Sequence, residues 1–283
     1  MSIHNQAPTN IAFVGDWHGY TQASRRILTA LKQENVSHIL HTGDFGIWNT
    51  QGTNLFLKDI NLRLKYNNQI LYFVDGNHEE FPHLYNKKLF PMQADGTRRI
   101  RSNIFHIPRG LTWKWFVDND ENQPITFLAM GGAYSIDRKY RKLNTSYWEE
   151  ECIDPEHIQK LIGMQIKTDV LISHDSPADS PNPVTDDPLS QHQAMRFYGR
   201  THLDASNAHR ETLQVLTDYV DPAVIAHGHY HKYRISTHTR EATGTEVTTI
   251  SLSENTDHTQ KSIHVTSLQD LYNLVQSSRD QGE

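Results

Sequence analysis

Residues 223–231 read AVIAHGHYH, an apolar run of strand length that ends in three histidines at alternating positions. In an extended chain His227, His229 and His231 would share one face, because successive side chains of a strand point to opposite sides. Such histidines can bind a metal ion, or they can be half-buried hydrogen-bonding residues at a strand end. The chain contains 18 histidines, so this stretch alone leaves both interpretations open.

The same arrangement of a strand followed by polar residues occurs four more times. Each run is short and rich in β-branched or aromatic residues, which is typical of buried strands. The runs are residues 11–14, 38–41, 70–74 and 170–172, and the clusters that follow them read GDWHG, TGD, DGNHE and SHD. Ligands of open α/β sheets bind beyond the carboxyl ends of the strands. We therefore expect all five clusters on one edge of one sheet.

Helical patterns lie between these strands. Apolar residues recur at helical spacing in several segments, which are residues 20–34, 53–66, 156–166 and 203–220. Asp154 and Pro155 are typical of an N-cap and of the first helical position. Two antiparallel pairs are also expected, 111–117 with 125–130 and 233–239 with 246–252. Strands that alternate with helices predict an α/β protein with a parallel or mixed sheet.

Composition limits the class of protein. The 283 residues carry no break in composition, so we expect a single domain over 1–283, with flexible tails at about 1–9 and 278–283. The net charge of −6 gives no general attraction to a long nucleic acid. Cys152 is the single cysteine, which excludes a disulfide framework. No apolar stretch of about 18 residues and no signal-peptide pattern is present, so we expect a cytoplasmic protein without a membrane span.

The polar clusters supply carboxylates, imidazoles and one amide. This mixed nitrogen and oxygen set suits Mn, Fe or Zn better than Ca or Mg, which prefer oxygen ligands. Seven potential ligands are too many for one tetrahedral ion, but they fit two ions with one bridging carboxylate. Taken singly, Asp16 could instead cap a helix and Asn77 could form a turn. The candidate ligands are Asp16, His18, Asp44, Asn77, His174, His227 and His229.

In their order, GDWHG, GD, GNHE, a lone histidine at a strand end and GHYH resemble the signature of the calcineurin-like metallophosphoesterases. The resemblance spans residues 15–229. It implies a four-layered α/β/β/α sandwich with two mixed sheets and a metal site at the carboxyl ends of the strands. It also implies two divalent ions, with Mn favoured and Fe or Zn as alternatives.

Residue roles follow from the resemblance. It implies that one ion is bound by Asp16, His18 and His229, the other by Asn77, His174 and His227, and both by Asp44. A hydroxide bound by the metals would attack phosphorus in line. His78 would protonate the leaving oxygen or stabilise the transition state. The resemblance assigns no role to His231, which we expect at the surface or beside the ligands.

The chain departs from the protein serine/threonine phosphatases within this superfamily. Their second motif continues as GDxxDRG, whereas Ile47 and Trp48 occupy the Asp and Arg positions here. Asp175 and Glu79 are candidates to orient His78 in place of that aspartate. The basic stretch 131–142 offers Arg138 and Arg141 as candidates for binding the substrate phosphate. The alternative is a solvated basic loop.

The sequence thus predicts a hydrolase that acts on a phosphodiester or a phosphomonoester. Small soluble substrates, nucleotides among them, are favoured over long nucleic acids because the chain is acidic. One alternative is a nuclease acting on DNA or RNA. Another is a non-catalytic, metal-binding scaffold with the same fold, although such a scaffold would be expected to have lost ligands. The sequence does not indicate an oligomeric state.

Overall fold

The computed structural model describes residue 3, residues 7–256 and residues 259–280. Its strands are β1 (Asn10–Val14), β2 (His38–His41), β3 (Ile70–Phe73), β4 (Arg98–Arg101), β5 (Ile104–His106), β6 (Thr112–Phe116), β7 (Pro124–Met130), β8 (Val170–Ser173), β9 (Val224–His227), β10 (Arg234–Thr239), β11 (Glu246–Ser251) and β12 (Ile263–Ser267). Its α-helices are α1 (Thr21–Gln33), α2 (Gln51–Asn67), α3 (Phe81–Leu84), α4 (Pro155–Gly163), α5 (Pro188–Tyr198), α6 (Arg200–Val220) and α7 (Leu268–Asp280).

The strands form two six-stranded sheets with the same plan. The first sheet has the order β12-β1-β2-β3-β5-β4, and the second has the order β10-β11-β9-β8-β7-β6. In each sheet the four inner strands are parallel and both edge strands are antiparallel to their neighbours. Each of the parallel inner strands is therefore paired on both sides. The carboxyl ends of these strands lie at the same edge of each sheet.

Alternation along the strands creates three separate apolar layers. Phe13 of β1 packs between the sheets with Phe127 of β7, whereas Val14 faces Ile27 of α1 on the outer side. On the far side of the second sheet, residues of α4 and α6 such as Leu213 pack on the outer face. The order of layers is thus helices, sheet, sheet, helices. This confirms the predicted α/β/β/α sandwich.

The expectation of one sheet edge for all five polar clusters was wrong. β1, β2 and β3 belong to the first sheet, and β8 and β9 belong to the second. Runs of buried strands predict parallel pairing, but they do not indicate which strands are neighbours. The clusters come together because the two sheets pack face to face with these edges side by side.

The predicted strand pairs and helices are present, and the structure contains further elements. The two antiparallel pairs are confirmed as β6–β7 and β10–β11, and the predicted helices correspond to α1, α2, α4 and α6. The Asp154 side chain caps α4 by accepting the Glu156 N–H. The elements β4, β5, β12, α3, α5 and α7 were not predicted. In the described part of the chain, no helix has the length and apolar character needed to cross a bilayer.

The expected flexible tails fall partly outside the described residues. In the N-terminal segment 1–9, Ile3 is buried and its carbonyl accepts the Trp115 indole N–H at 2.7 Å. At the C-terminus, α7 continues to Asp280 and Ser278 is buried, so the helix extends into the segment expected to be a tail. Residues 1, 2, 4–6 and 281–283 lie outside the described part.

Candidate metal centre

Five loops meet where the two packed sheets present the carboxyl ends of their strands. The first sheet contributes the residues after β1, β2 and β3, and the second contributes those at the ends of β8 and β9. Short contacts link six of the predicted ligands in one largely buried cluster, which are Asp16, His18, Asp44, Asn77, His174 and His229. His227 is buried at the end of β9, where its ring contacts that of Tyr230. The His18 and His78 side chains keep some exposure. The ligand roles of these residues stay predictions.

Asp44 lies at the centre of this cluster. One of its carboxylate oxygens, Oδ2, is 3.4 Å from Nε2 of His174 and 3.9 Å from both Nδ1 of His18 and Nε2 of His78. The other oxygen accepts the backbone N–H of His78 at 2.8 Å. Burial opposes ionisation of Asp44, but the neighbouring His174 holds its pKa well below the usual range. One carboxylate thus faces imidazoles from both sheets.

His174 and Asn77 form a converging set of donor atoms beside Asp44. Nδ1 of His174 donates to the Thr42 carbonyl at 2.8 Å, so Nε2 is the nitrogen that faces the centre. That nitrogen lies 3.0 Å from Oδ1 of Asn77. Burial would lower the pKa of His174, yet the adjacent Asp44 carboxylate raises it to about 10. A proton on Nε2 of His174 therefore faces the oxygens of Asn77 and Asp44. A bound cation can take the place of that proton and contact the same two oxygens.

His227 has a buried nitrogen that lacks a hydrogen bond. Its Nδ1 donates to the Gly228 carbonyl at 3.1 Å, and burial lowers its pKa to about 4, so the ring is neutral. Nε2 therefore carries a lone pair, and this buried atom has no hydrogen-bond partner among the described residues. A buried acceptor without a donor is unfavourable unless a cation or water binds it. Metal-binding histidines are commonly oriented in this way.

A second set of donors lies around Asp16. Its carboxylate accepts the backbone N–H of His229 at 3.2 Å, and its Oδ2 lies 3.0 Å from Nε2 of His231 and 4.0 Å from Nε2 of His18. Although burial raises the pKa of Asp16, the hydrogen bond with His231 lowers it to about 2. The His229 ring centroid is 5.0 Å from that of His174, so the two donor sets are adjacent.

The backbone of the cluster is strained at several candidate ligands. His18, Asp44 and His229 have positive φ values of 46°, 51° and 69°, a region that non-glycine residues seldom occupy. Strained residues of this kind concentrate at functional sites. Gly76 and Gly228 permit the close packing, since a Cβ at either position would collide with the carboxylate of Asp44 or Asp16, respectively.

His78 stands at the open side of the cluster beside Arg141. Nη2 of Arg141 lies 2.8 Å from Nε2 of His78, and its Nε contacts Oδ1 of Asp137 at 2.8 Å. Of the two candidates to orient His78, neither Glu79 nor Asp175 contacts its side chain in the described structure. Glu79 accepts backbone N–H groups of the turns after β2 and β3, and Asp175 binds His209 and Tyr230. Burial, together with the Asp44 charge, raises the pKa of Glu79 to about 8.

Arg138 lies in a different environment from Arg141. Its Nε donates to Oε1 of Glu151 at 2.7 Å, and its guanidinium covers the Tyr134 ring. Glu151 also accepts the Ser135 hydroxyl at 2.9 Å, and Ser135 in turn accepts Nδ2 of Asn77 at 2.9 Å. Arg138 thus supports the Asn77 amide through other residues and makes no contact with His78 in the described structure.

Sequence reasoning missed Ser135 and Glu151. Ser135 is 58 residues from Asn77, and no local pattern links a serine after a strand to a distant amide. His231 carried a signal, since it continues the alternation of His227 and His229. Its position beside Asp16 is one of the two that we expect for it.

Comparison with known proteins identifies the family. The family model of the calcineurin-like phosphoesterases matches residues 9–233, which include every candidate ligand. A Thermus thermophilus crystal structure is similar in fold, with a TM-score of 0.51 at 8% identity over 93% of this chain and 100% of that one. A dimetal phosphatase from Danio rerio has a TM-score of 0.47 at 14% identity over 88% of each chain. The comparison with curated proteins found no match.

The matched segment contains strands β1 to β9, which belong to both sheets, and all five loops of the cluster. The Thermus thermophilus structure has low sequence identity, so it supports the fold and not a particular substrate. The chain belongs to the calcineurin-like phosphoesterase family.

Proposed function

We propose that this protein is a metal-dependent hydrolase of a phosphodiester or a phosphomonoester, with a dinuclear metal site. The observation that carries the proposal is the position of Asp44, whose Oδ2 faces His18 from the first sheet and His174 from the second. A carboxylate between two donor groups is the arrangement needed to bridge two ions. Small phosphate esters, nucleotides among them, are the substrates we favour.

The donor atoms fit divalent cations. Asp16, His18 and His229 would bind one ion, Asn77, His174 and His227 the other, and Asp44 both. The unpartnered Nε2 of His227 supports the second set, as does Nε2 of His174, which faces two oxygens. Nitrogen and oxygen donors suit Mn, with Fe or Zn as alternatives. Bound divalent ions would lower the pKa of a coordinated water and neutralise charge on the phosphate oxygens.

His78 and Arg141 are the groups we assign to the substrate. The His78 side chain is 31% exposed and lies 3.9 Å from Asp44, so an ester oxygen near the metals is within its reach. The Arg141 guanidinium is held by Asp137 and by the Ser146 carbonyl, which leaves it poised beside His78. An oriented guanidinium binds phosphate oxygens through paired hydrogen bonds. We propose that Arg141 binds the phosphate and that His78 donates a hydrogen bond to the leaving oxygen.

The first experiment compares hydrolysis of a chromogenic phosphodiester with that of the matching monoester. Chelator-treated protein would receive Mn, Zn, Fe or Mg in turn. Hydrolysis of either ester that depends on an added metal supports the proposal, and the preferred ester identifies the substrate type. Stoichiometric metal binding without hydrolysis of these esters, of nucleotides or of DNA and RNA would instead support the scaffold.

Two variants of neighbouring residues test the roles within the site. Asp44→Asn is expected to abolish hydrolysis and to lower the bound metal, because the bridging carboxylate serves both ions. His78→Ala is expected to lose rate and keep both metal ions, since its side chain is assigned to the substrate. Metal content is measured by elemental analysis. An active Asp44→Asn protein with two bound ions would refute the dinuclear site, and loss of metal from His78→Ala would make His78 a ligand.

A further inference from the structure

Two aromatic side chains lie at the edge of the candidate metal centre, beside His18. Tyr20 is 54% exposed, and its ring centroid is 6.5 Å from that of His18. Trp48 is half-buried, and a Cβ placed on Gly19 would lie 3.2 Å from Cζ3 of the Trp48 indole. The backbone between His18 and Tyr20 therefore packs against Trp48. Tyr20 and Trp48 together form an aromatic rim of the metal centre.

The aromatic rim is close to the groups that we assign to the reacting ester. The His18 ring, which contacts Tyr20, also has its centroid 5.2 Å from that of His78. His78 in turn contacts the Arg141 guanidinium at 2.8 Å. A phosphate bound beside His78 and Arg141 therefore leaves the organic part of the ester room to extend past His18 to Tyr20.

The backbone holds both rings of the aromatic rim in place. Glu80 fixes the residues on either side of Trp48, because its backbone N–H donates to the Ile47 carbonyl and its carboxylate accepts the Asn49 N–H, both at 2.8 Å. Tyr20 is the N-cap residue of α1. Side chains on a fixed backbone lose little conformational freedom when a ligand binds, so the rim is a prepared surface.

The chemistry of the aromatic rim favours a planar group. Neither ring carries a charge that could bind phosphate, and both offer flat apolar area beside a polar site. Nucleic-acid bases stack on aromatic side chains of this kind whatever their sequence, because every base has a π-face. A sugar phosphate has no planar ring and would leave the rim without a contact.

We propose that the aromatic rim binds the base of a nucleoside phosphate ester, so that Tyr20 and Trp48 set a preference for nucleotides over sugar phosphates. This inference rests on the proposed phosphoesterase function and specifies its substrate class. The alternative is that both rings only stabilise the backbone at Gly19. In that case their removal lowers the stability of the fold and leaves substrate preference unchanged.

The test measures kcat/KM for adenosine monophosphate and for ribose phosphate, which differ only in the base. If the protein prefers diesters, the p-nitrophenyl ester of thymidine monophosphate and methyl p-nitrophenyl phosphate replace them. The variants are Tyr20→Ala, Tyr20→Phe and Trp48→Ala. Tyr66→Ala is the matched control, since Tyr66 is 79% exposed and lies under Lys32, at the opposite end of α1 from Tyr20. Circular dichroism and elemental analysis check the fold and the bound metal.

We expect the wild type to prefer the ester that carries a base. Tyr20→Ala should lower the ratio of the two kcat/KM values about tenfold to 100-fold, because loss of an aromatic ring that stacks on a base has an effect of that size. The change should lie mainly in KM for the nucleotide, since the base is remote from the reacting bond. Tyr20→Phe and Tyr66→Ala should keep the wild-type ratio. A wild-type ratio in folded, metal-bound Tyr20→Ala and Trp48→Ala proteins overturns the proposal.

Fluorescence separates this inference from the proposed activity. Trp48 is half-buried and the other four tryptophans are buried, so a ligand on the aromatic rim changes mainly the emission of Trp48. Adenosine monophosphate should quench the emission of the Zn²⁺-bound protein, ribose phosphate should not, and Trp48→Phe should lose the effect. Quenching without hydrolysis of any ester refutes the activity and leaves the inference intact. Hydrolysis without quenching and with no preference for a base refutes the inference alone.

Discussion

Removal of the Ser135 hydroxyl should weaken metal binding, although Ser135 is not a candidate ligand. The Glu151 carboxylate accepts both the hydroxyl and the backbone N–H of Ser135 at 2.9 Å. The hydroxyl hydrogen therefore points to Glu151, and the oxygen of Ser135 must accept from Nδ2 of Asn77. This order of donors turns Oδ1 of Asn77 towards His174 and the proposed second ion.

The magnitude follows from the hydrogen bonds that Ser135→Ala removes. Nδ2 of Asn77 would lose its acceptor in a buried site, and an unsatisfied buried polar group costs about 1–3 kcal/mol. The amide can then rotate, and loss of an outer partner lowers metal affinity by about 10–100-fold. At 1.4 kcal/mol for each factor of ten, this equals about 1.4–2.8 kcal/mol, which agrees with the first figure.

Calorimetric titration of chelator-treated protein with Mn²⁺ measures this effect. We expect Ser135→Ala to lower the affinity for one of the two Mn²⁺ ions and to leave the affinity for the other near its wild-type value. Ser180→Ala is the matched control, since the Ser180 hydroxyl is also buried but has no hydrogen-bond partner among the described residues. Wild-type affinity for both ions in Ser135→Ala would refute the reasoning that Ser135 orients Asn77.

Two further variants separate substrate binding from stability. Arg141→Ala should lower kcat/KM for a phosphate ester about 10–100-fold with metal content unchanged, because a hydrogen bond from a charged group contributes about 1.5–3 kcal/mol. The control is Arg200→Ala, at an exposed residue. A kcat/KM of Arg141→Ala that equals that of the control would contradict this role. Burial lowers the pKa of His38 to about 4, so the unfolded state binds more protons between pH 4 and 6.5 and stability falls as the pH falls through that range. His38→Gln should therefore show a smaller decrease in Tm from pH 7 to pH 5, and equal decreases in both proteins would contradict the assignment.

The positions of the candidate ligands were predictable because all of them lie at or just after the ends of short strands. Asp16, Asp44 and Asn77 come directly after short apolar runs, and the carboxyl ends of such strands are the usual position of ligands in α/β folds. The cap at Asp154 was predictable for the same reason, since a cap depends on a few neighbouring residues. Information of this kind is local and can be identified without knowing which strands are neighbours.

The residue that contacts the His78 side chain could not be predicted from such local information. Glu79 is adjacent to His78 in the chain, yet its carboxylate accepts the backbone N–H groups of Phe45 and Gly76. Arg141 reaches His78 from a loop 63 residues away. Contacts of this type depend on the path of the backbone after each strand, and residue spacing does not encode that path.

By itself the sequence determined the alternation of strands and helices, the chemistry of the donor atoms and their order along the chain, because these properties depend on residue type and near neighbours. The tertiary structure decided that the donors come from two sheets, that Asp44 faces His18 and His174 together, and that His231 lies against Asp16. The physical reason is that apolar strands gain the same burial beside many alternative partners. Only the packing of the complete core selects one arrangement and thereby sets the distances between side chains that are remote in sequence.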